Sequence, residues 1–397
     1  MTDQTRSPRR GCGCLSLVAS VVALALAVGV FLGVLAEGHG GLLSALPDGV
    51  QLPVAVTKAA EEFGSRVATS ARSLASTPGT AATENQLRMT RPHIVPVAGK
   101  AVAASPLRFQ FDGVKYSVTP HVATSVYWGA KRSTRLLTQL PGESNASWTS
   151  AYYHSFADDP QQTPAIDDVA SQLRAIRAKA GLDSDQYLEL IAKYVQSIPY
   201  DWKTYDSGAG KQRFVVETLV EGTGLCGDKS VLLADLLAHE GYSAGLLEFG
   251  PEKHMAVGVI GPGKSYRKSG YLFLETTSPC YVTDVPSSYS GGMRLRSEPV
   301  VVAIGTGTQQ YSAADEIGKI VAVRDSAQKA SDRLYKSAKS QSLTNAQVAA
   351  VNRKLDQAYR AQTSLRSNVV DHDGKSVGTF MDRSQALHWI DSNAWWL

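Results

Sequence analysis

The segment GLCGDKSVLLADLL, residues 224–237, holds a single cysteine in a glycine-rich turn that leads into an apolar run. After Gly227, neither glycine nor proline occurs until Gly241. This pattern predicts a helix that begins at or near Cys226 and ends at a glycine. We expect one face of the helix to be buried, because its leucines recur at helical spacing: Leu232, Leu233, Leu236 and Leu237.

Three short apolar segments follow the predicted helix, with breaks rich in glycine and proline between them. They predict consecutive antiparallel strands at residues 245–249, 255–260 and 271–276. His254 then opens the second strand and Glu275 lies on the third. Side chains alternate between the two faces of a strand, so Glu275 shares its face with Tyr271 and Phe273.

Cys226, His254 and Glu275 supply a thiol, an imidazole and a carboxylate, in that order along the chain. At a helix N-terminus the unpaired backbone N–H groups and the helix dipole favour an anion, and so favour the thiolate form of Cys226. Nucleophilic acyl transfer needs a base that takes the thiol proton and a carboxylate that holds the imidazole in the correct tautomer. The three residues are therefore candidate catalytic residues.

These motifs resemble the transglutaminase-like superfamily, a papain-like group of cysteine acyltransferases and peptidases. The upstream segment YVQSIPY, residues 194–200, also matches the family pattern, so the resemblance covers roughly residues 164–289. Two features depart from the pattern. The third member of the triad is more commonly Asp than Glu, and an aromatic residue often follows the His closely, where this chain has Met255 and Ala256.

The resemblance implies an α+β fold in which the helix that bears Cys226 packs on an antiparallel sheet. It also implies that Cys226 forms a thioester with the carbonyl of a protein, peptide or other amide substrate. The acyl group then passes to an amine, giving a crosslink, or to water, giving hydrolysis. The oxyanion would be held by the Cys226 backbone N–H and one further donor. No metal or organic cofactor is implied, since no His/Cys cluster has ligand spacing and no phosphate-binding loop is present.

Other interpretations of these residues remain open at this point. Cys226 and Cys280 are the only cysteines beyond the apolar N-terminal segment, so they could form a structural disulfide. His254 could be an ordinary histidine at a strand edge, and Glu275 an edge charge. The whole domain could instead be a non-catalytic binding or assembly module on the same fold. Among the neighbouring residues, we expect Asp228 to cap the helix. Lys229 could lower the pKa of the thiol, but in a first turn we expect it to point to solvent. Trp202 could line the active-site cleft, but we expect it to lie in the core.

The N-terminus has the pattern of a membrane anchor. Residues 1–14 are polar and contain three arginines, whereas residues 15–36 contain neither charge nor proline and are long enough to span a bilayer. The arginines before this run place residues 1–14 in the cytoplasm and the rest of the chain outside it. The alternative is a cleaved signal peptide, because Val34-Leu35-Ala36 resembles a cleavage site. Cys12 and Cys14 precede the run and are interpreted as ordinary cytosolic thiols.

The rest of the chain divides by composition. Residues 37–104 are interpreted as a stalk or linker, residues 105–305 as the transglutaminase-like domain, and residues 311–397 as a helical region that contains an antiparallel hairpin. Residues 105–156 predict an added β-rich lobe, and residues 164–197 predict two helices with a capping box at Asp183 and Gln186. A second capping box is predicted at Thr344 and Gln347.

Length and charge limit the classes of function. A chain of 397 residues, of which 43% are hydrophobic, suggests two or three structural units with a sizeable core. The formal net charge is +4 and no long basic run occurs, which argues against a nucleic-acid partner. The expected partners are an amide-bearing substrate, the membrane through residues 15–36, and a second copy of the chain through the helical segments.

Overall fold

The computed structural model describes residue 88 and residues 90–367 and 380–394. The chain forms two compact units. Residues 139–143 belong to the first together with the N-terminal part of the chain, and every helix and strand given below belongs to the second. The predicted membrane segment at 15–36, most of the predicted stalk and the C-terminal tryptophans lie outside the described residues. Within the part described, no helix is long and apolar enough to cross a membrane.

The described residues form six strands and ten α-helices. The strands are β1 Leu107–Phe111, β2 Val114–Val118, β3 Ala244–Phe249, β4 His254–Val259, β5 Leu272–Leu274 and β6 Val300–Ala303. The helices are α1 Thr124–Arg132, α2 Asn145–Ala157, α3 Thr163–Ala180, α4 Ser184–Gln196, α5 Trp202–Ser207, α6 Val215–Glu221, α7 Cys226–His239, α8 Ala314–Lys339, α9 Asn345–Ser364 and α10 Arg383–Asn393.

Four strands form an antiparallel sheet in the order β5-β4-β3-β6, and α7 packs on one face of it. Leu246 of β3, Val257 of β4 and Leu274 of β5 belong to the same core cluster as the leucines of α7. The opposite face carries a smaller cluster made of Leu247, Phe249, Ala256 and Phe273. The fold is therefore α+β, and its cysteine-bearing helix is packed on an antiparallel sheet, as predicted.

Helix α7 is held rigidly because its apolar face is fully buried. The side chains of Leu232, Leu233, Leu236 and Leu237 have no exposed surface. Burying one leucine side chain stabilises a fold by roughly 1.5–3 kcal/mol relative to leaving it exposed. The helix ends at His239 with Glu240 as its C-cap, and Gly241 follows with a φ of +82° in the left-handed region. The chain thus anchors Cys226 through packing far along the helix from the cysteine itself.

Both predicted capping boxes are confirmed. Asp183 and Gln186 exchange hydrogen bonds at the start of α4, and Thr344 and Gln347 do so at the start of α9. Helices α8 and α9 pack against each other across a short connection, which confirms the predicted hairpin.

The predicted β-rich lobe is wrong beyond Val118. Strands β1 and β2 form a hairpin, but its Phe109, Phe111 and Val118 join the main core cluster rather than a separate one. The aromatic residues that follow lie in α1 and α2. Trp148 and Tyr152 stack with ring centroids 5.2 Å apart, and Phe156 lies 5.0 Å beyond Tyr152. Such contacts between residues four apart occur on one face of a helix.

The predicted stalk extends too far along the chain. Residues 90–104 form neither helix nor strand, but they belong to the second unit and pack within it. Ile94 is buried, and its backbone N–H donates to Asp159 Oδ2 at 2.6 Å. The Val97 N–H donates to the carbonyl of Ser125 at 3.0 Å. The packed part of the chain therefore begins before residue 105.

Candidate active site

Cys226 is the first residue of α7 and is half-buried. Two glycines beside it, Gly224 and Gly227, allow neighbouring segments of the chain to approach the start of α7 closely. A Cβ on Gly227 would lie 2.6 Å from Gln212 Oε1, and Gly224 forms a backbone bridge with Tyr200. Asp228 caps the helix, as predicted, because its carboxylate accepts from the Leu225 N–H at 3.0 Å and from the Arg213 N–H at 2.8 Å.

His254 opens β4, as predicted, and lies between the other two candidate residues. Its Nε2 is 3.1 Å from Glu275 Oε2, and its side chain is nearly buried. A hydrogen bond with the Cys226 thiol is one cause of the raised pKa of His254. Since Nε2 is occupied by Glu275, Nδ1 is the nitrogen left to accept the thiol proton. The preceding residue, Lys253, has a φ of +51°, and its carbonyl lies 4.0 Å from Cys226 Sγ.

Glu275 is fully buried and lies one residue after β5, not on it. Its carboxylate accepts five hydrogen bonds. Oε1 accepts from the Thr276 N–H, the Thr277 N–H and the Thr277 hydroxyl, and Oε2 accepts from His254 and from the Tyr289 hydroxyl. These contacts saturate both oxygens and fix the carboxylate in one orientation.

The electrostatics of His254 and Glu275 are those of an ion pair. Burial acts to lower the pKa of His254, but the charge of Glu275 and the hydrogen bonds with Cys226 and Glu275 outweigh it and raise that pKa. Burial acts to raise the pKa of Glu275, but His254 and the hydrogen bonds from Thr277 outweigh it and lower that pKa. At neutral pH the imidazole therefore holds a proton and faces an anion.

Tyr289 covers this pair, and no pattern in the sequence pointed to it. Its ring centroid lies 4.4 Å from that of His254, and its hydroxyl donates to Glu275 Oε2 at 2.8 Å. Burial, followed by the charge of Glu275, raises the pKa of Tyr289. The side chain thus keeps water from one side of the imidazole while it adds a hydrogen bond to the carboxylate.

Tyr200 lies beside Cys226, although the sequence marked it only as the last residue of the segment 194–200. Burial raises the pKa of its hydroxyl, the charge of Cys226 adds to this, and a hydrogen bond with the Cys226 backbone N–H opposes it. The centroid of its ring lies 4.6 Å from that of Trp202, and the ring centroids of Trp202 and Tyr205 lie 5.6 Å apart. Trp202 is half-buried and belongs to neither core cluster, so its predicted place in the core is wrong: it packs on the rings of Tyr200 and Tyr205.

Lys229 is fully buried, which corrects the prediction that it points to solvent. Its Nζ donates to the carbonyl oxygens of Gln196, Ile198 and Thr277. The end of α4 and the segment after β5 cover this part of α7, so the first turn of the helix is not a surface turn.

Cys226 and Cys280 do not form a disulfide. Both are free thiols, and Cys280 is buried with its Sγ 3.0 Å from the carbonyl oxygen of Asp284. Burial raises the pKa of Cys280. In the described part of the chain, no three His, Cys, Asp or Glu side chains are grouped so as to hold a metal ion.

No protein-family model matches the chain. No curated protein matches it. A crystal structure of a TGase matches 35% of this chain and 36% of its own chain, with 15% sequence identity and a TM-score of 0.25.

Proposed function

We propose that this chain is a cysteine enzyme of the transglutaminase-like type, which uses Cys226, His254 and Glu275 to transfer or hydrolyse an amide acyl group through a thioester. The observation that carries the proposal is the position of His254. Its Nε2 contacts Glu275 at 3.1 Å, and the carbonyl of the preceding residue, Lys253, lies 4.0 Å from the Sγ of Cys226 at the N-terminus of α7. A thiol, a base and an orienting carboxylate in hydrogen-bond sequence are the parts that nucleophilic acyl transfer requires.

The chemistry follows from these groups. In the resting site His254 already holds the proton of Cys226, so Sγ attacks the substrate carbonyl carbon as a thiolate and gives a tetrahedral oxyanion. When this species collapses, the C–N bond breaks and His254 returns the proton to the leaving amine, which leaves a thioester on Cys226. An amine or a water molecule then gives its proton to His254 and attacks the thioester, and Cys226 departs as a thiolate beside the protonated His254. Glu275 holds the imidazole and stabilises its charged form without itself taking the proton.

Two donors suit the oxyanion. One is the Cys226 backbone N–H, which lies in the first turn of α7 and has no partner within the helix. The other is the Tyr200 hydroxyl, whose oxygen accepts a hydrogen bond from that same Cys226 N–H in the free protein. When a carbonyl oxygen takes the place of this contact, the hydroxyl is free to donate to the oxyanion. Tyr200→Phe should therefore slow acylation by about 10²-fold, the order found for loss of one such donor.

We further propose that the domain works outside the cytoplasm, held to the membrane by residues 15–36. This is supported by the uncharged run of 22 residues and by the three arginines that precede it.

The proposed chemistry is tested by trapping the thioester. The full-length chain is incubated with p-nitrophenyl acetate, an activated acyl donor, and peptides are mapped by mass spectrometry. We expect an acetyl group on Cys226 that hydroxylamine removes, in the wild type and in the Cys280→Ser control. His254→Ala should lower the acylation rate by about 10²- to 10⁴-fold. Equal acylation of Cys226 in the wild type and in His254→Ala would refute the proposal. Full cellular function without the thiol would favour a binding module instead.

A further inference from the structure

Lys229 is a fully buried lysine that the chemistry proposed above does not use. It lies almost one turn after Cys226 on α7. Its Nζ donates to the carbonyl oxygens of Gln196 at 3.2 Å, Ile198 at 2.7 Å and Thr277 at 3.2 Å. An ammonium has three N–H donors, so each has an acceptor. A neutral amine would turn its lone pair toward one of these oxygens, so the three carbonyls suit the charged form.

The three carbonyls belong to segments that carry other residues of the candidate active site. Gln196 ends α4, and Ile198 lies two residues before Tyr200. Thr277 donates two hydrogen bonds to Glu275 Oε1, from its N–H at 2.9 Å and from its hydroxyl at 2.8 Å. Through Lys229, the helix that carries the nucleophile is therefore tied to the segments of Tyr200 and of Glu275.

The charge of Lys229 also acts on the site. Burial lowers its pKa to about 7, while the negative charges of Glu275 and Cys226 act in the opposite direction. Among the described residues, Glu275 and Cys226 are the ionisable groups whose charges act on Lys229. The hydrogen-bond partners of its Nζ are uncharged backbone carbonyls. Charges that interact away from water are screened far less than charges at the surface.

We propose that Lys229 is a positioning residue of the candidate active site, whose buried ammonium stabilises the Cys226 thiolate and the Glu275 carboxylate while it fixes the segments that present them. It acts through these residues and contacts neither substrate nor the reacting bond. The inference rests on the proposed function, since it assigns a role to Lys229 only if Cys226 reacts as a thiolate.

The first test measures alkylation of Cys226 in the full-length chain and needs no acyl substrate. The rate of carbamidomethylation by iodoacetamide is followed by peptide mass spectrometry from pH 5 to 10. In Lys229→Met, the pH at half-maximal rate should rise by about one unit or more, because a buried cation near the thiolate is lost. The matched control is Lys203→Met, which removes an exposed lysine on α5 and should leave the midpoint unchanged. An unchanged midpoint in folded Lys229→Met would overturn the proposal.

A second measurement covers the case in which Lys229→Met does not fold. Coupling between two titrating groups is reciprocal, so replacing Cys226 must shift the titration of Lys229. Lysine side-chain NMR of the full-length chain should show the Lys229 midpoint at lower pH in Cys226→Ala than in the wild type. Equal midpoints would overturn the proposal. A shifted midpoint in a protein that forms no thioester would reject the proposed function and leave the coupling intact.

Discussion

The pair formed by His254 and Glu275 should make the stability of the fold depend on pH in a way that Glu275→Gln removes. The pKa of His254 is raised from an ordinary value of 6.5, so its contribution is fully present below pH 6.5 and is lost as pH rises toward the folded-state pKa of about 10. The pKa of Glu275 is lowered from 4.5, so its contribution is present above pH 4.5 and is lost as pH falls toward about 2. The pair therefore stabilises most between pH 4.5 and 6.5.

The size of the effect follows from the burial of both groups. One proton taken up by the folded but not the unfolded chain changes the free energy of unfolding by up to about 1.4 kcal/mol per pH unit. Between pH 6.5 and 8.5, the difference in the free energy of unfolding between the wild type and Glu275→Gln should thus shrink by about 1 to 3 kcal/mol. In the variant the buried imidazole has no anion beside it and stays neutral, so this slope disappears.

The assay is urea unfolding in mild detergent, followed by tryptophan fluorescence at a series of pH values. Glu217→Gln is the matched control, because Glu217 is a buried carboxylate that is paired with Arg135. Arginine does not titrate in this range, so the difference between that variant and the wild type should stay constant from pH 6.5 to 8.5. Parallel curves for the wild type and Glu275→Gln would refute the charged pair.

Three further predictions concern the thiols, the covering tyrosine and the membrane. Iodoacetamide should label Cys226 in the native chain before Cys280, because Cys280 is buried with a raised pKa; equal labelling rates would contradict this. Tyr289→Phe removes one hydrogen bond from Glu275 Oε2, so it should cost about 1 kcal/mol in thermal unfolding and slow acylation more than it weakens substrate binding; unchanged kinetics would mean that the ring serves packing alone. Protease added to intact cells should digest the region after residue 36 of a membrane-bound protein, whereas a freely released domain that begins near Glu37 would support a cleaved signal peptide.

Local patterns were sufficient for the parts of the site that depend on short stretches of chain. The glycines around Cys226 placed a helix start there, and the period of two in the following segments put His254 at the head of a strand. The same reasoning failed for residues 124–157, because their aromatic content suggested strands although the spacing of the aromatic residues is that of a helix. Trp148, Tyr152 and Phe156 follow one another at intervals of four, which is the period of a helix face and not of a strand.

Other features depend on contacts between distant parts of the chain. Lys229 is buried because Gln196, Ile198 and Thr277 bring their carbonyls to it, and the nearest of these lies 31 residues away. Tyr289 reaches Glu275 across 14 residues and directly precedes a 3₁₀ turn, and no periodic pattern marks it. Sequence spacing carries no information about such contacts, so neither could be predicted before the fold was known.

The most direct test of the triad is a double-mutant cycle on the rate of Cys226 acylation by p-nitrophenyl acetate, with folding checked by thermal melting. Glu275→Gln keeps the size of the side chain but permits the wrong imidazole tautomer, so the rate should fall by about 10²- to 10⁴-fold. His254→Ala should cost at least as much. The combined variant should be no slower than His254→Ala alone, because Glu275 acts through His254. Independent losses that multiply in the combined variant would contradict the triad and give Glu275 a separate, structural role.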